Sequence, residues 1–412
     1  EQGLELYSFS MYNLLPSANN IHTADNMSDY VARRNVPNFL RPGAYDPFTS
    51  DDGSASGRDI VALGSDSDWG WGSLRNINYM IVNCTDPAIA LETRQHYIGL
   101  AKFFRAYFYF EKVKRYGDVP WIGKPIDVED DDLLYGPRDP RSLVMDSVLA
   151  DLDYATQHIK LETDNKRSLV TKSNAYAFKA RVCLFEGTFR KYHTELGLEG
   201  TAAAWLSEAE SAAKTLIDKG EFKLYTGAGE DLSYRTVFIS DKPNTDEVMQ
   251  AVIMSEALGE THSANWYNTA PTTGVRLSPI RTFINTYLNI DGTPFTNTPG
   301  YETMTFMEEV KGRDKRLQQT IRLGDYTRID AGQELPTPTD FGYSYTGYQP
   351  IKWSLDDVYI DTRNLNTNSV STFRFGEVLL NYAEAKAELG TLTDADWQMT
   401  IGALRARAGI TG

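Results

Sequence analysis

The stretch Leu100–Pro120, LAKFFRAYFYFEKVKRYGDVP, constrains the fold more than any other part of the chain. Leu100, Phe103, Phe104, Tyr107, Phe110 and Val113 recur at helical spacing, which predicts a helix with a very wide apolar face. Lys102, Arg105 and Lys112 fall on a narrower stripe, with Tyr109 between them. Glu111 and Arg115 stand in the favourable i,i+4 order, and Lys112, Lys114 and Arg115 put positive charge at the negative end of the helix dipole. Gly117 suits the left-handed residue after a helix, and Pro120 prevents its resumption. So wide a face needs more than one neighbour. The segment therefore predicts the spine of a helical scaffold, with its aromatics in the core and no chemistry of its own.

Helical patterning continues on both sides. It predicts a short helix at Leu6–Leu15, then helices at Leu74–Cys84, Glu92–Tyr116, Ser142–Ile159 with Ser142 as N-cap, Ser173–Phe189, and Ala202–Lys219 closed by Gly220. Two more follow at Gly376–Leu389 and Asp394–Ala408. Small residues such as Ala175, Ala177 and Ala180 fit close crossings in antiparallel pairs, so the expected fold is mainly α and TPR-like, without a regular repeat. Between Gly220 and Arg374 the helical pattern stops. Gly, Pro, Asn, Thr and Tyr dominate there, with a β-like run at Val248–Met254. The organisation expected is one domain: a scaffold at about 73–220 and 376–412, a loop-rich inserted lobe with short strands at about 221–375, and irregular N-terminal loops at 1–72, through Asp52-Gly53 and Ser65 to Gly72.

Composition narrows function by exclusion. A net charge of −15 argues against a nucleic-acid partner, which needs a basic surface. Cys84 and Cys183 both lie in apolar helical runs and read as buried free thiols. With 5 His and no HExxH, HxH or CxxC, no metal site is expected. The acidic run Glu129–Asp132 reads as a solvated loop, because its spacing is not that of a calcium loop. No run is long and apolar enough to span a bilayer, no signal peptide is visible in the sequence, and Glu1-Gln2-Gly3 reads as a mature or engineered start.

Ordered fragments resemble one family. Phe103–Phe110 with Arg115–Pro120 is similar to the FLRAYYYF…YGDVP signature of SusD/RagB-like proteins, the surface glycan-binding lipoproteins of Bacteroidetes. Asp25–Asp29, Trp69–Trp71 with Leu74–Asn78, Asp151–Ala155, Lys179–Leu184, Pro279–Phe283, Asp291–Pro294, Arg313–Leu317 (with Lys315 for the usual proline), Arg374–Ala385 and Arg405–Ile410 resemble further family fragments in the same order. The resemblance implies non-catalytic capture of an oligosaccharide at the outer membrane's extracellular face, delivery to a SusC-like TonB-dependent transporter, no cofactor, and a lipidated cysteine upstream of Glu1. It also implies a further C-terminal segment beyond Gly412.

Sugars offer an apolar C–H face to aromatic rings and a hydroxyl rim to amides, carboxylates and guanidiniums. Among the tryptophans, Trp205 and Trp397 fall on helices and Trp121 follows Val119-Pro120, which leaves Trp69, Trp71, Trp266 and Trp353. Trp266-Tyr267-Asn268 is expected on a loop after the strand and is the first choice for ligand contact, followed by Trp69, with Asn26 and Asp29 for hydroxyls. Tyr343, Tyr345 and Tyr348 form a separate cluster on a glycine-rich stretch. Two other classes compete. A helical-repeat scaffold could bind only protein or a non-sugar nutrient. A glycoside hydrolase would need a carboxylate pair across a cleft; no catalytic motif such as GxSxG is present, so no catalytic residue is assigned.

Overall fold

The computed structural model describes residues 1–32, 69–271, 275–362 and 364–412. The loop expected through Asp52-Gly53 and the start of the one from Ser65 lie outside these residues. The chain opens with α1 (Gln2–Phe9), a tighter helical turn Ser10–Leu14, α2 (Ala18–His22) and the two-residue strand β1 (Val31–Ala32). The scaffold follows: α3 (Gly72–Asn83), α4 (Leu91–Tyr116), a single turn α5 (Asp131–Leu134) within the acidic run, α6 (Arg141–His158), α7 (Lys172–Tyr192) and α8 (Ala202–Lys219). α4 packs on α3 and α6, α6 on α7, and α7 on α8, the neighbour order of helix pairs. One apolar cluster runs through all of them, with Phe103, Phe104, Tyr109, Leu152 and Phe178 fully buried. Gly117 closes α4 at φ 70°. Both cysteines are buried free thiols.

Two local expectations are corrected. Ser142 is not the N-cap of α6. The helix opens one residue earlier, and the Arg141 N–H donates to Asp118 Oδ1 at 2.8 Å. Asp118 of the YGDVP turn thus caps the next helix, doing from a distance what a local serine would do. Glu111 pairs with Lys114 at 2.7 Å, one step nearer than the i,i+4 partner expected.

The polar stripe of α4 is not a solvated face. Arg105 is 6% exposed; its Nε and Nη2 donate to the two oxygens of Asp151 at 2.6 and 2.8 Å, and its Nη1 to Asn78 Oδ1 at 3.0 Å. Lys102 reaches the same carboxylate at 2.6 Å. α3, α4 and α6 therefore meet on one buried charge cluster. The same device recurs outward: Lys179 bridges Asp153 and Glu208, while Glu186, fully buried, accepts from Arg141 and Arg190.

Past Gly220 the chain keeps forming helices, against expectation, but short ones: α9 (Ser233–Ile239), α10 (Ala264–Thr269), α11 (Arg281–Ile284), α12 (Phe306–Glu309) and α13 (Arg316–Thr320). They are too short to show periodicity, so tertiary contacts must hold them. The strand expected from Val248 is β2 (Val248–Val252). With β3 (Ser278–Pro279), β4 (Thr327–Asp330), β5 (Gln333–Pro336) and β6 (Val370–Arg374) it makes three antiparallel two-stranded pairs, β1–β3, β2–β6 and β4–β5. The apolar clusters of this lobe are small, one around Phe238 and Trp353 and one around Ile284 and Ile321. Between them lie buried amides: Asn265, Asn366, Asn368 and Gln349 are all inaccessible to solvent.

The chain returns to the scaffold in α14 (Phe375–Glu388), which lies on α8 and α7, with Arg181 of α7 donating to both oxygens of Glu377 at 2.6 and 2.7 Å. The last predicted helix is broken into α15 (Asp394–Trp397), a widened turn Gln398–Gly402 and α16 (Ala403–Arg407). At the break the Thr400 hydroxyl donates to the Asp396 carbonyl at 2.6 Å, competing with the backbone ladder. Arg407 of α16 and Arg374 at the end of β6 converge on Glu247, whose carboxylate is fully buried, at 2.5 and 2.8 Å. This ion triad joins lobe and scaffold.

Candidate functional site

Trp266, Tyr267 and Asn268 do not sit on a loop, as expected, but on α10. The run ETHSANWYNT shows no periodicity because side-chain anchors, not an apolar stripe, hold the helix. Asn265 is the main one. Its Nδ2 donates to the Leu355 carbonyl and Asp361 Oδ1 at 2.9 and 3.0 Å, and its Oδ1 accepts from the Leu355 N–H and Asn366 Nδ2 at 2.8 and 2.7 Å. All four bonding positions of the amide are filled. Arg328, also buried, closes the far side of Asp361 at 2.6 and 2.7 Å.

This anchoring sorts the expected residues. Asn268 is turned inward: it is 5% exposed, its Nδ2 donates to Ser354 Oγ at 3.3 Å and its carbonyl accepts from Gln349 Nε2 at 3.0 Å. Trp266 and Tyr267 are half-buried on the outer side, with rings edge to face at 5.3 Å.

The N-terminal segment is laid against this helix. Asn19 Oδ1 of α2 accepts from the Ser263 N–H and hydroxyl at 3.1 and 2.9 Å and from His22 Nε2 at 2.9 Å. The His22 ring lies 5.3 Å from Tyr267 and 5.5 Å from His262. His262 Nε2 donates to the Asn368 carbonyl and its Nδ1 accepts from the Ala264 N–H, so the ring is neutral. Burial, first of all, holds both imidazoles down at about 4. Farther on, the Ile280 N–H donates to the Tyr30 carbonyl at 2.9 Å and β1 pairs with β3. Asn26 and Asp29 therefore belong to a segment that runs beside that of Trp266 and Tyr267, although they are 237 or more residues apart in sequence by their numbers (266 − 29 = 237). Asn26 is half-buried, with its Oδ1 unbonded among the described residues, and Asp29 is exposed.

Trp69 stands elsewhere. Its ring meets Tyr116 at 4.8 Å and Trp71 at 5.2 Å edge to face, under the Arg138 guanidinium at 4.8 Å, at the C-terminal end of α4. A cavity of about 660 Å³ opens beside this end; Gly70, Tyr116, Lys112 and Asn20 of α2 line it, and burial lowers the Lys112 ammonium to about 8. Trp353 is core, 8% exposed against Phe238 at 4.7 Å.

Residues that the sequence does not single out stand along the stretch from α10 to α11. Tyr30 is 49% exposed and packs on Phe283 at 4.7 Å. Arg276 adopts φ 55°, a left-handed conformation that costs a non-glycine residue about 1 kcal/mol or more, and its guanidinium lies 5.5 Å from the Tyr345 ring. No sequence signal marks Arg276. Tyr345 belongs to the tyrosine cluster of the glycine-rich stretch. Half-exposed rings beside amide, carboxylate and guanidinium groups suit a ligand with both an apolar face and hydroxyls. Among the described residues no group of His, Cys, Asp and Glu is arranged to hold a metal ion.

Comparison with known proteins gives the same outline. A model of the SusD family matches residues 241–412, and one described as starch-binding associating with outer membrane matches residues 75–184. SusD-like protein P2 of Formosa agariphila is 34% identical over 92 residues, 22% of this chain and 18% of that protein, so the match spans under a fifth of the curated relative's length. A SusD-like protein of Bacteroides fragilis superposes with a TM-score of 0.74 at 22% identity, covering 100% of this chain and 79% of the other. A SusD-like carbohydrate binding protein of the same species gives 0.72 at 18% identity, covering 99% and 78%. At such identities the likeness is one of fold.

Proposed function

Because the chain belongs to the SusD/RagB-like family, we propose that it binds an oligosaccharide without catalysis and passes it to a SusC-like TonB-dependent transporter of the outer membrane. The observation that carries the reading is the surface where α10 meets the N-terminal segment. It carries Trp266 and Tyr267 on a base made rigid by Asn265, with the segment that holds Asn26, Asp29 and Tyr30 laid alongside between His22 and β3. Rings stack on the C–H faces of sugar residues, and the polar groups bond their hydroxyls. Asn268 supports this surface from inside. Trp69 stands apart from this surface, at the end of α4, and is proposed as a separate ligand contact.

No helix among the described residues is long and apolar enough to cross a membrane. Attachment at the extracellular face through a lipid anchor upstream of Glu1 is part of the proposal. Affinity for sugar is modest, on the order of micromolar to millimolar, because desolvation of polar groups offsets most of the gain.

The test is calorimetric titration with a panel of oligosaccharides. The wild type is expected to bind one class, and Trp266→Ala to weaken it about tenfold, the loss of one stacking contact. Binding of no glycan overturns the reading; unchanged affinity in Trp266→Ala overturns the site alone. New reducing ends after incubation with the bound glycan would show that the protein is a hydrolase.

A further inference from the structure

The glycine-rich run Thr339–Tyr348 carries the tyrosine cluster that the site above leaves largely unused. Its loop is pinned throughout. Asp340 Oδ1 accepts from the Gly342 N–H at 2.5 Å, the Asp340 carbonyl accepts from the Tyr343 N–H at 3.1 Å, and the Thr339 hydroxyl donates to the Gly347 carbonyl at 3.0 Å. Thr346 donates to the Pro279 carbonyl at 2.7 Å, and the Tyr345 N–H to Ser278 Oγ at 2.9 Å. Gly347 takes φ 87°, which only glycine adopts readily. This rigid loop holds Phe341 75% exposed. A lone exposed phenylalanine needs no explanation, but this ring walls a cavity of about 460 Å³, within the size range of small-ligand sites.

The other walls supply both kinds of group that a sugar needs. Phe306 and Tyr348 are apolar surface, while Arg281, Glu309 and Asp340 are polar. Glu309 is 2% exposed, and its carboxylate accepts from the Tyr348 hydroxyl at 2.5 Å and Arg281 Nη2 at 3.0 Å. Arg281 Nε is buried and, among the described residues, has no hydrogen-bond partner. Solvent does not reach this nitrogen, so the polar groups open to a ligand are the rest of the Arg281 side chain, which is 39% exposed, and Asp340.

We propose that this cavity is a second sugar-binding subsite, in which a sugar ring stacks on Phe341 and its hydroxyls meet the exposed part of the Arg281 side chain and the Asp340 carboxylate. The proposal rests on the glycan reading above and extends it. The loop that carries Phe341 also carries Tyr345, which lies under Arg276, and the Arg276 N–H donates to the Tyr267 carbonyl at 3.0 Å. A continuous series of contacts thus leads from α10 to the cavity. The ligand class is an oligosaccharide of several residues, one end at Trp266 and the other at Phe341, rather than a mono- or disaccharide.

The experiment is titration of the full chain with malto-, cello-, xyloglucan-, manno- and galacturono-oligosaccharides, each graded from disaccharide to octasaccharide. For the series that binds, wild-type affinity is expected to rise with length. Phe341→Ala should bind the long members about tenfold more weakly and the short ones unchanged, at an unaltered Tm. Phe341→Trp should restore the long-chain affinity, with its fluorescence shifting on addition of the octasaccharide beyond any shift in the wild type. Equal affinity of Phe341→Ala and wild type at every length overturns this subsite and leaves the reading at α10 standing. So does a Phe341→Trp variant whose emission responds to the octasaccharide no more than that of the wild type. Failure of every series to bind overturns both.

Discussion

Around α4 the interior is carbon. Phe103, Phe104, Tyr109 and Phe178 lie in one continuous apolar cluster, and charge enters only at staples such as Arg105–Asp151. Around Asn265 it is amide, carboxylate and guanidinium, bonded across 90 to 101 residues of sequence, with only small apolar clusters beside them. The first kind of interior is tolerant: apolar side chains of like volume exchange at small cost. The second is exacting, because each deleted atom leaves a buried partner unbonded. A rigid scaffold thus carries a lobe whose buried amides are specified atom by atom, which suits a surface that must present rings and hydroxyl partners in fixed places.

That contrast can be broken hardest at the point where the scaffold itself depends on charge. Asp151→Ala strands the buried Arg105 guanidinium and is expected to cost about 3–5 kcal/mol by urea unfolding, with Arg105→Met/Asp151→Leu recovering most of it. Retention of full stability in Asp151→Ala would mean that the scaffold is held by apolar packing alone.

Acid should act next, and on the lobe. His22 and His262 titrate at about 4 when folded against 6.5 when unfolded. The unfolded chain then binds protons that the folded one refuses, so their contribution is full above pH 6.5 and is lost as pH falls from 6.5 to 4. The loss is up to about 3 kcal/mol for each ring. In His22→Phe the limb between these values should be about half as deep. A flat stability profile over that window in the wild type would contradict the burial of the pair.

The smallest effects sharpen the comparison most. Asn265→Leu keeps the volume and removes the bonds; it should cost about 2 kcal/mol or more and raise hydrogen exchange in the lobe first. Phe103→Leu, equally buried, should cost about 1 kcal/mol and leave exchange patterns alone. Equal costs would erase the distinction between the two interiors.

The same contrast explains what can be read from sequence. Helices α3, α4, α6, α7, α8 and α14 are legible because an apolar stripe repeats within each. The polar letters in the family-like fragments are visible too, yet their meaning is not: Arg105 answers Asp151, Lys179 answers Asp153, and Arg181 answers Glu377, over 26 to 196 residues (179 − 153 = 26; 377 − 181 = 196). Pairing over such distances leaves no periodic trace. In the lobe nothing periodic remains, so α9 to α13 escape a reading by pattern, and Trp266 reads as a loop residue when Asn265 makes it helical. Asn26, Asp29, Trp266 and Tyr267 are residue types that suit a sugar, but only folding brings their two segments side by side.

The Glu247 triad has a consequence for the order of folding. Glu247 lies 160 residues ahead of Arg407, its closest cation. Until α16 arrives, a carboxylate destined for complete burial has half its compensation, and closing the lobe over it is unfavourable. Helices α3 to α8, which pack on neighbours in sequence, have no such need to wait. The C-terminal helix is thus a condition for shutting the lobe over Glu247, whatever the order in which α3 to α8 pack, and Arg407 is its latch.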